Sequence, residues 1–135
     1  MNKIFSSGKV YVSQSKIHKA GRGVFAGVAI KKGEIIERCP VIEIPEHEGP
    51  SVNESILVTY IYYLGKKKER LLLALGFGSI YNHTDTPNAK YNEKYKEKII
   101  DFIAIKDIKK NQEITVNYNQ ENQDEKTPLW FAIHP

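Results

Sequence analysis

The sequence predicts a mostly β domain built from several small sheets, with few short helices, and three observations carry that expectation. Its apolar segments are short, rich in β-branched and aromatic residues, and separated by Gly, Asn and Pro. None sustains the spacing of a long amphipathic helix. The third observation is a polar stretch, Asn82-His83-Thr84-Asp85-Thr86-Pro87-Asn88, placed directly after the apolar run Leu71 to Leu75 and the burial-seeking Phe77, Ile80 and Tyr81. Polar groups are thereby delivered into a core, where they need partners. A loop tying two sheets together would supply those partners, and so would a ligand cradle.

Composition bounds what such a cradle could serve. At 135 residues, with no Pro/Gly/Ser-rich linker, the chain is expected to form one domain over residues 1–135. Lys and Arg (20) exceed Asp and Glu (16) for a net charge of +4, a mild bias toward acidic partners too small to define nucleic-acid binding. Cys39 is the single cysteine and His18, His47, His83 and His134 are scattered, so neither an intrachain disulfide nor a metal site at zinc-ligand spacing is expected. There is no apolar leader at the N-terminus and no apolar run of membrane-spanning length. A soluble, intracellular, cytoplasmic protein without membrane contact is the expectation.

In chain order, Val10-Tyr11-Val12 reads as a first strand with a polar end at Ser13 to Lys16. Gly21-Arg22-Gly23 follows, where glycines open conformations closed to other residues and let a ligand approach the main chain. A simple turn is the alternative; the third glycine and the helix of a dinucleotide fingerprint are missing. Ile35 to Ile42 reads as a strand with Cys39 as a small buried hydrophobe, and Pro45 to Pro50 as a loop. Ile56 to Leu64 is ambiguous between helix and strand, leaning to strand at its C-terminal end. Gly65 to Arg70 is a charged hairpin tip, Lys90 to Lys98 a charged, tyrosine-rich run, and Ile99 to Ile105 and Glu113 to Tyr118 are further strands. Residues 29–36 are echoed at 107–115, each a polar turn feeding a β-branched strand, which points to shared turn chemistry rather than a repeat fold.

Taken together, Gly21-Arg22-Gly23-Val24-Phe25-Ala26, Asn82-His83 with Pro87-Asn88, Phe102 to Ile108, and Glu113-Ile114-Thr115-Val116-Asn117-Tyr118 resemble, in order, the motifs of SET-domain protein-lysine methyltransferases. The core motifs lie within 9–118, leaving 119–135 as an aromatic tail. The chain resembles the compact single-domain form found in viruses and bacteria. The resemblance implies a SET-domain β-clip in which the segment around Asn82-His83 is crossed by the later strand near Tyr118 to form a pseudoknot.

It also implies S-adenosylmethionine as cofactor. Gly21, Arg22 and Gly23 would wrap its methionine end, the guanidinium reaching the carboxylate. Asn82 would bond the amino-acid portion, and His83 would meet the adenine edge through its main chain while its side chain pins the knot. Tyr118 matches the catalytic tyrosine, orienting methyl and amine, and would also contact the cofactor. The target would be the side-chain amine of a lysine, which a narrow apolar channel pushes toward its neutral, nucleophilic form.

The lysine channel is less defined. Tyr63 is the candidate channel tyrosine, with Tyr60 and Tyr62 competing. Trp130 or Phe131 of the tail would fold over the cofactor, or dock on the core, in place of the cysteine-rich segment many relatives carry. Methyl number is limited in the family by a tyrosine in the channel, and Tyr91 and Phe102 both reach the position. Tyr91 lies in a polar run expected to swing to solvent, so Phe102 is preferred and di- or trimethylation follows. The partner would be a lysine-bearing protein or peptide, a histone tail or another protein, and a nuclear site of action follows if it is a histone. Two other readings stand beside this one: a catalytically silent SET-like interaction module, and a basic nucleic-acid-binding β domain using Lys66-Lys67-Lys68 and Arg70. The latter lacks aromatics interleaved with its basic residues.

Overall fold

The computed structural model describes residues 3–120. Among these residues nine strands form two sheets. The first sheet holds β1 (Val10–Gln14), β2 (Arg22–Ala26), β9 (Glu113–Val116) and the two-residue β6 (Asn82–His83), in the order β1-β2-β9-β6. The second holds β4 (Ile61–Leu64), β5 (Arg70–Ala74), β3 (Ile35–Ile44), β8 (Ile99–Ala104) and β7 (Ala89–Lys94), in that order. Pairing is antiparallel except for β6 with β9. The one α-helix among the described residues, α1 (Gly49–Asn53), follows a 3-10 turn at Glu46–Glu48, in the region read from sequence as a loop. Ile56–Tyr60 is also a 3-10 turn, with Ser55 accepting from the Leu57 N–H, and the strand begins only at Ile61.

The echoed turns have one construction. Gly33 and Asn111 both take a left-handed backbone, with φ of 92° and 71°. In each turn the residue that follows reaches back: Glu34 Oε1 accepts from the Lys31 N–H at 3.1 Å, and Gln112 Oε1 from the Lys109 N–H at 3.0 Å. The turns meet across an antiparallel bridge between Ile30 and Ile108. Each then bonds the strand end that precedes the other: Gly33 and Glu34 exchange hydrogen bonds with Ala104, and Asn111 and Gln112 with Ala26. Similar residues have thus built a local two-fold.

The core lies between the sheets and contains Val24, Ile36, Leu72, Ile100, Phe102, Ile114 and Val116. A β-bulge between Ile35 and Glu37 allows Ile36 and Glu37 both to be buried. The Glu37 carboxylate accepts from the Tyr81 hydroxyl at 2.8 Å and from the Phe77 N–H at 3.0 Å. One buried acid therefore anchors the segment that leads into the Asn-His stretch. Cys39 is buried beside it; burial, then Glu37, pushes its thiol far above the ordinary value, so it is an inert core residue. On the outer side of β8, Asp101 is covered by a two-point ion pair with Arg38, at 2.7 and 3.0 Å.

The run from Lys90, expected in solvent, is a paired strand. β7 lies along β8 in full register from Ala89↔Ala104 to Lys94↔Ile99. Alternation buries Ala89 and Tyr91 while Lys90 and Asn92 face water. No helix among the described residues is long and apolar enough to cross a membrane.

Candidate active site

The polar stretch at the centre of the chain is tied along β9. Asn82 and His83 run parallel to Thr115 and Val116, and the Thr84 N–H continues the ladder to the Val116 carbonyl at 3.0 Å. Asn88, buried after Pro87, substitutes for a strand residue: its Nδ2 donates to the Glu113 carbonyl and its Oδ1 accepts from the Thr115 N–H, both at 2.9 Å. The turn thus returns the chain to the strand it left.

Asn82 joins this knot to the glycine motif. Its Nδ2 donates to the Arg22 carbonyl and to Glu113 Oε2, both at 2.9 Å. Glu113 also accepts from Ser15 Oγ, at 2.8 and 2.9 Å to its two oxygens. A Cβ on Gly23 would stand 2.3 Å from Glu113 Oε2 and 2.9 Å from Asn82 Nδ2, so a larger residue would displace the Glu113 carboxylate from its bonds to Asn82 and Ser15. Gly21 turns the chain with a φ of 71°. Glu113 escaped the sequence reading; its signal was a carboxylate opening the otherwise apolar strand Glu113-Ile114-Thr115-Val116.

His83 fastens Tyr118. Its Nδ1 accepts the Tyr118 backbone N–H at 2.9 Å, which leaves the proton on Nε2, 3.4 Å from Asp85 Oδ1. Burial holds the imidazole below its ordinary value, against the pull of Asp85, and the bond to Nδ1 needs it neutral. The Tyr118 hydroxyl donates to the Tyr81 carbonyl. Burial first, then the neighbouring Tyr91, Glu113 and Tyr60, raises this phenol far above its ordinary value, so it remains protonated. It is a positioned hydroxyl rather than a base.

Around Tyr118 stands an aromatic chamber. Tyr62 meets it edge-on with ring centroids 6.1 Å apart and meets Tyr91 at 5.0 Å. The Tyr91 hydroxyl donates to the Tyr118 carbonyl at 3.1 Å, and the Tyr62 hydroxyl to the Gly78 carbonyl at 2.7 Å. One expectation is corrected here. Tyr91 is 4% exposed and lies in the chamber, because β7 pairs with β8 instead of swinging out. Phe102 is fully buried, its ring stacked on Tyr81 at 4.3 Å and lying 6.2 Å from the Tyr62 ring and 6.4 Å from that of Tyr91. The structure also brings Tyr62 against Tyr91 and Tyr118, whereas Tyr63 points to the other side of β4 and donates to Asn53 Oδ1 at 3.2 Å. Trp130 and Phe131 lie outside the described residues.

The residues fit an amino-acid zwitterion at the glycine motif. Asn82 Oδ1 carries no hydrogen bond to the described residues and is open to an ammonium, and the exposed Arg22 is open to a carboxylate. No cluster of His, Cys, Asp or Glu able to hold a metal occurs among the described residues. A strand-bound polar knot is thus joined through one tyrosine to an aromatic chamber.

The comparisons with known proteins agree. The SET domain model matches residues 21–119. Over 114 residues, the chain is 31% identical to the histone-lysine N-methyltransferase of Schizosaccharomyces pombe specific for H3 lysine-37, covering 84% of this chain and 71% of that protein. A crystal structure of a candidate histone methyltransferase of Plasmodium falciparum superposes with a TM-score of 0.60 at 37% identity, over 82% of this chain and 92% of that one. Polycomb Repressive Complex 2 of Chaetomium thermophilum, solved with the inhibitor GSK126, shares the fold, with a TM-score of 0.72 at 24% identity over 90% of this chain and 17% of that one. The chain belongs to the SET-domain family.

Proposed function

We propose that this chain transfers a methyl group from S-adenosylmethionine to the side-chain amine of a lysine in a protein, a histone among the candidates, and adds one methyl group. The observation that carries the reading is the double attachment of Tyr118, by its N–H to His83 of the knot and by its hydroxyl to the Tyr81 carbonyl. One residue thereby links the surface suited to the cofactor with the chamber suited to the lysine.

When bound, S-adenosylmethionine supplies a methyl group on a positively charged sulfur. Gly21, Arg22 and Asn82 would hold its amino-acid end, and His83 would meet the adenine through its main chain. The chain's own residues do the remainder. Tyr62, Tyr91 and Tyr118 surround the amine with rings and exclude water, which disfavours the ammonium form. A lysine of ordinary pKa about 10.4 is thereby shifted toward its nucleophilic form. The Tyr118 hydroxyl, donating a hydrogen bond to the Tyr81 carbonyl, would orient the reacting groups. Orientation of this kind supplies several kcal/mol of the barrier. The Tyr91 hydroxyl, bonded to the Tyr118 carbonyl, occupies the space a second methyl would need, and is our choice of limiting residue over Phe102. Action on a histone would require access to the nucleus.

The test is incubation with isotopically labelled S-adenosylmethionine and either recombinant core histones or a whole-protein extract, with labelled residues located by mass spectrometry. Label on lysine, chiefly monomethyl, is expected; protein left unlabelled by the parent chain overturns the proposal. Tyr91→Phe should then release di- and trimethyl-lysine. Phe102→Tyr should leave the methyl number unaltered and lower stability by about 1–3 kcal/mol, since a hydroxyl overfills a closed site.

A further inference from the structure

The turn that follows β9 ends in a contact with no place in the reading above. Gln120 folds its carboxamide back onto β7 and meets the main chain of Tyr91 twice: the Tyr91 N–H donates to Oε1 at 3.2 Å, and Nε2 donates to the Tyr91 carbonyl. Among the described residues β7 is the edge strand of its sheet, with β8 on its other side. An edge strand leaves such groups facing outward. The carboxamide supplies the donor and acceptor that a neighbouring strand residue would have supplied.

Tyr91 is consequently held at both ends by one short segment, its hydroxyl on the Tyr118 carbonyl at 3.1 Å and its main chain on Gln120. That segment is itself fixed. The Gln120 N–H donates to the Asn117 carbonyl at 3.0 Å, the Asn119 N–H to Asn117 Oδ1 at 2.8 Å, and Lys68 Nζ ties Asn119 Oδ1 to the β4–β5 hairpin at 3.4 Å. The side-chain type matters, because only a carboxamide offers a donor and an acceptor side by side, and asparagine is one methylene shorter. Glutamate would set a second acceptor against the Tyr91 carbonyl.

Resting on the reading of Tyr91 as the limiting residue, we propose that Gln120 is a specificity-determining positioning residue: by clamping the main chain of Tyr91 it sets where that ring stands, and so how many methyl groups the product carries. The clamp acts from outside the chamber, through Tyr91 alone.

Gln120→Met tests this, since it keeps the length and bulk of the side chain and removes both hydrogen bonds. Exchange of the Tyr91 amide, followed by NMR without any substrate, should accelerate several-fold in Gln120→Met. With core histones and S-adenosylmethionine, the share of di- and trimethyl-lysine should rise several-fold, in the direction of Tyr91→Phe, and Gln120→Met should add nothing in a Tyr91→Phe background. Unchanged amide exchange overturns the proposal whatever the substrate proves to be. Faster exchange with an unchanged methyl number also overturns it, provided Tyr91→Phe does alter that number. A Tyr91→Phe variant with the parent's products instead overturns the reading of Tyr91 on which the proposal rests.

Discussion

In the proposed function, Tyr118 and His83 divide the work at the site between a hydroxyl that orients and an imidazole that holds. Because the Tyr118 phenol stays protonated and bonded to the Tyr81 carbonyl, its removal should cost transfer and not binding. Tyr118→Phe is expected to depress turnover by an order of magnitude or more while calorimetric affinity for S-adenosylmethionine changes little; near-parent turnover would contradict the role. His83 makes a different prediction. Its folded-state value lies below the ordinary 6.5, so the unfolded chain binds its proton more readily than the folded one. The stability it contributes is therefore full above about pH 6.5 and is lost as pH falls below that value toward the depressed one. Melting temperatures of the parent and of His83→Gln, followed from pH 8 down to about pH 5, should converge as acid breaks the Nδ1 bond. Parallel curves would show that the imidazole does not titrate out of its contact.

Among the elements, the paired turns at Gly33 and Asn111 explain how unlike stretches of chain come to be joined. Both positions need a left-handed backbone, and the two turns use glycine at one and asparagine at the other, the residue types that tolerate it. At Gly33 an added Cβ would meet nothing within 4 Å, so a substitution there probes conformation without a clash. Gly33→Ala should lower stability by about 1–2 kcal/mol, and Gly33→Asn by less, as its counterpart Asn111 indicates. Chemical denaturation at constant slope measures the difference; equal losses for the two variants would refute the conformational account. Since each turn bonds a strand end next to the other, weakening one loosens both sheets.

Across the whole molecule, the two sheets communicate through the segment from Phe77 to Asn82. Glu37 of β3 grips Phe77 and Tyr81, Tyr81 stacks on Phe102 of β8, and Asn82 passes into the other sheet to bond Arg22 and Glu113. Asn82→Ala would leave the Arg22 carbonyl and a Glu113 oxygen each short of a donor. A stability loss of about 1–3 kcal/mol is expected, together with weaker S-adenosylmethionine binding. Calorimetry finding intact affinity at an unchanged melting temperature would show that the joint serves neither role.

The sequence by itself determined what short-range chemistry decides. The strands at Val10, Ile35, Leu71 and Ile99, the matched turns, the glycines before β2, and the order of Asn82-His83 and Tyr118 were all legible, because each rests on backbone preference or on motif residues adjacent in the chain. The crossing of the Asn82-His83 segment by the later strand was implied by the family resemblance, and β6 does pair with β9. Only the tertiary structure decided which aromatics face one another. Lys90 to Lys94 alternates charged and buried positions with only Ala89 and Tyr91 to mark its inner side, a pattern too short to distinguish a paired strand from a solvated one. In a strand, a shift of one residue reverses every side chain. Hence Tyr62 rather than Tyr63 stands beside Tyr118, and Tyr91 lies buried against Tyr62 instead of in solvent. Glu113 and Gln120 stayed hidden for a related reason: their partners lie 31 and 29 residues away, at Asn82 and Tyr91, and long-range partners of polar side chains exist only once strand registers are set.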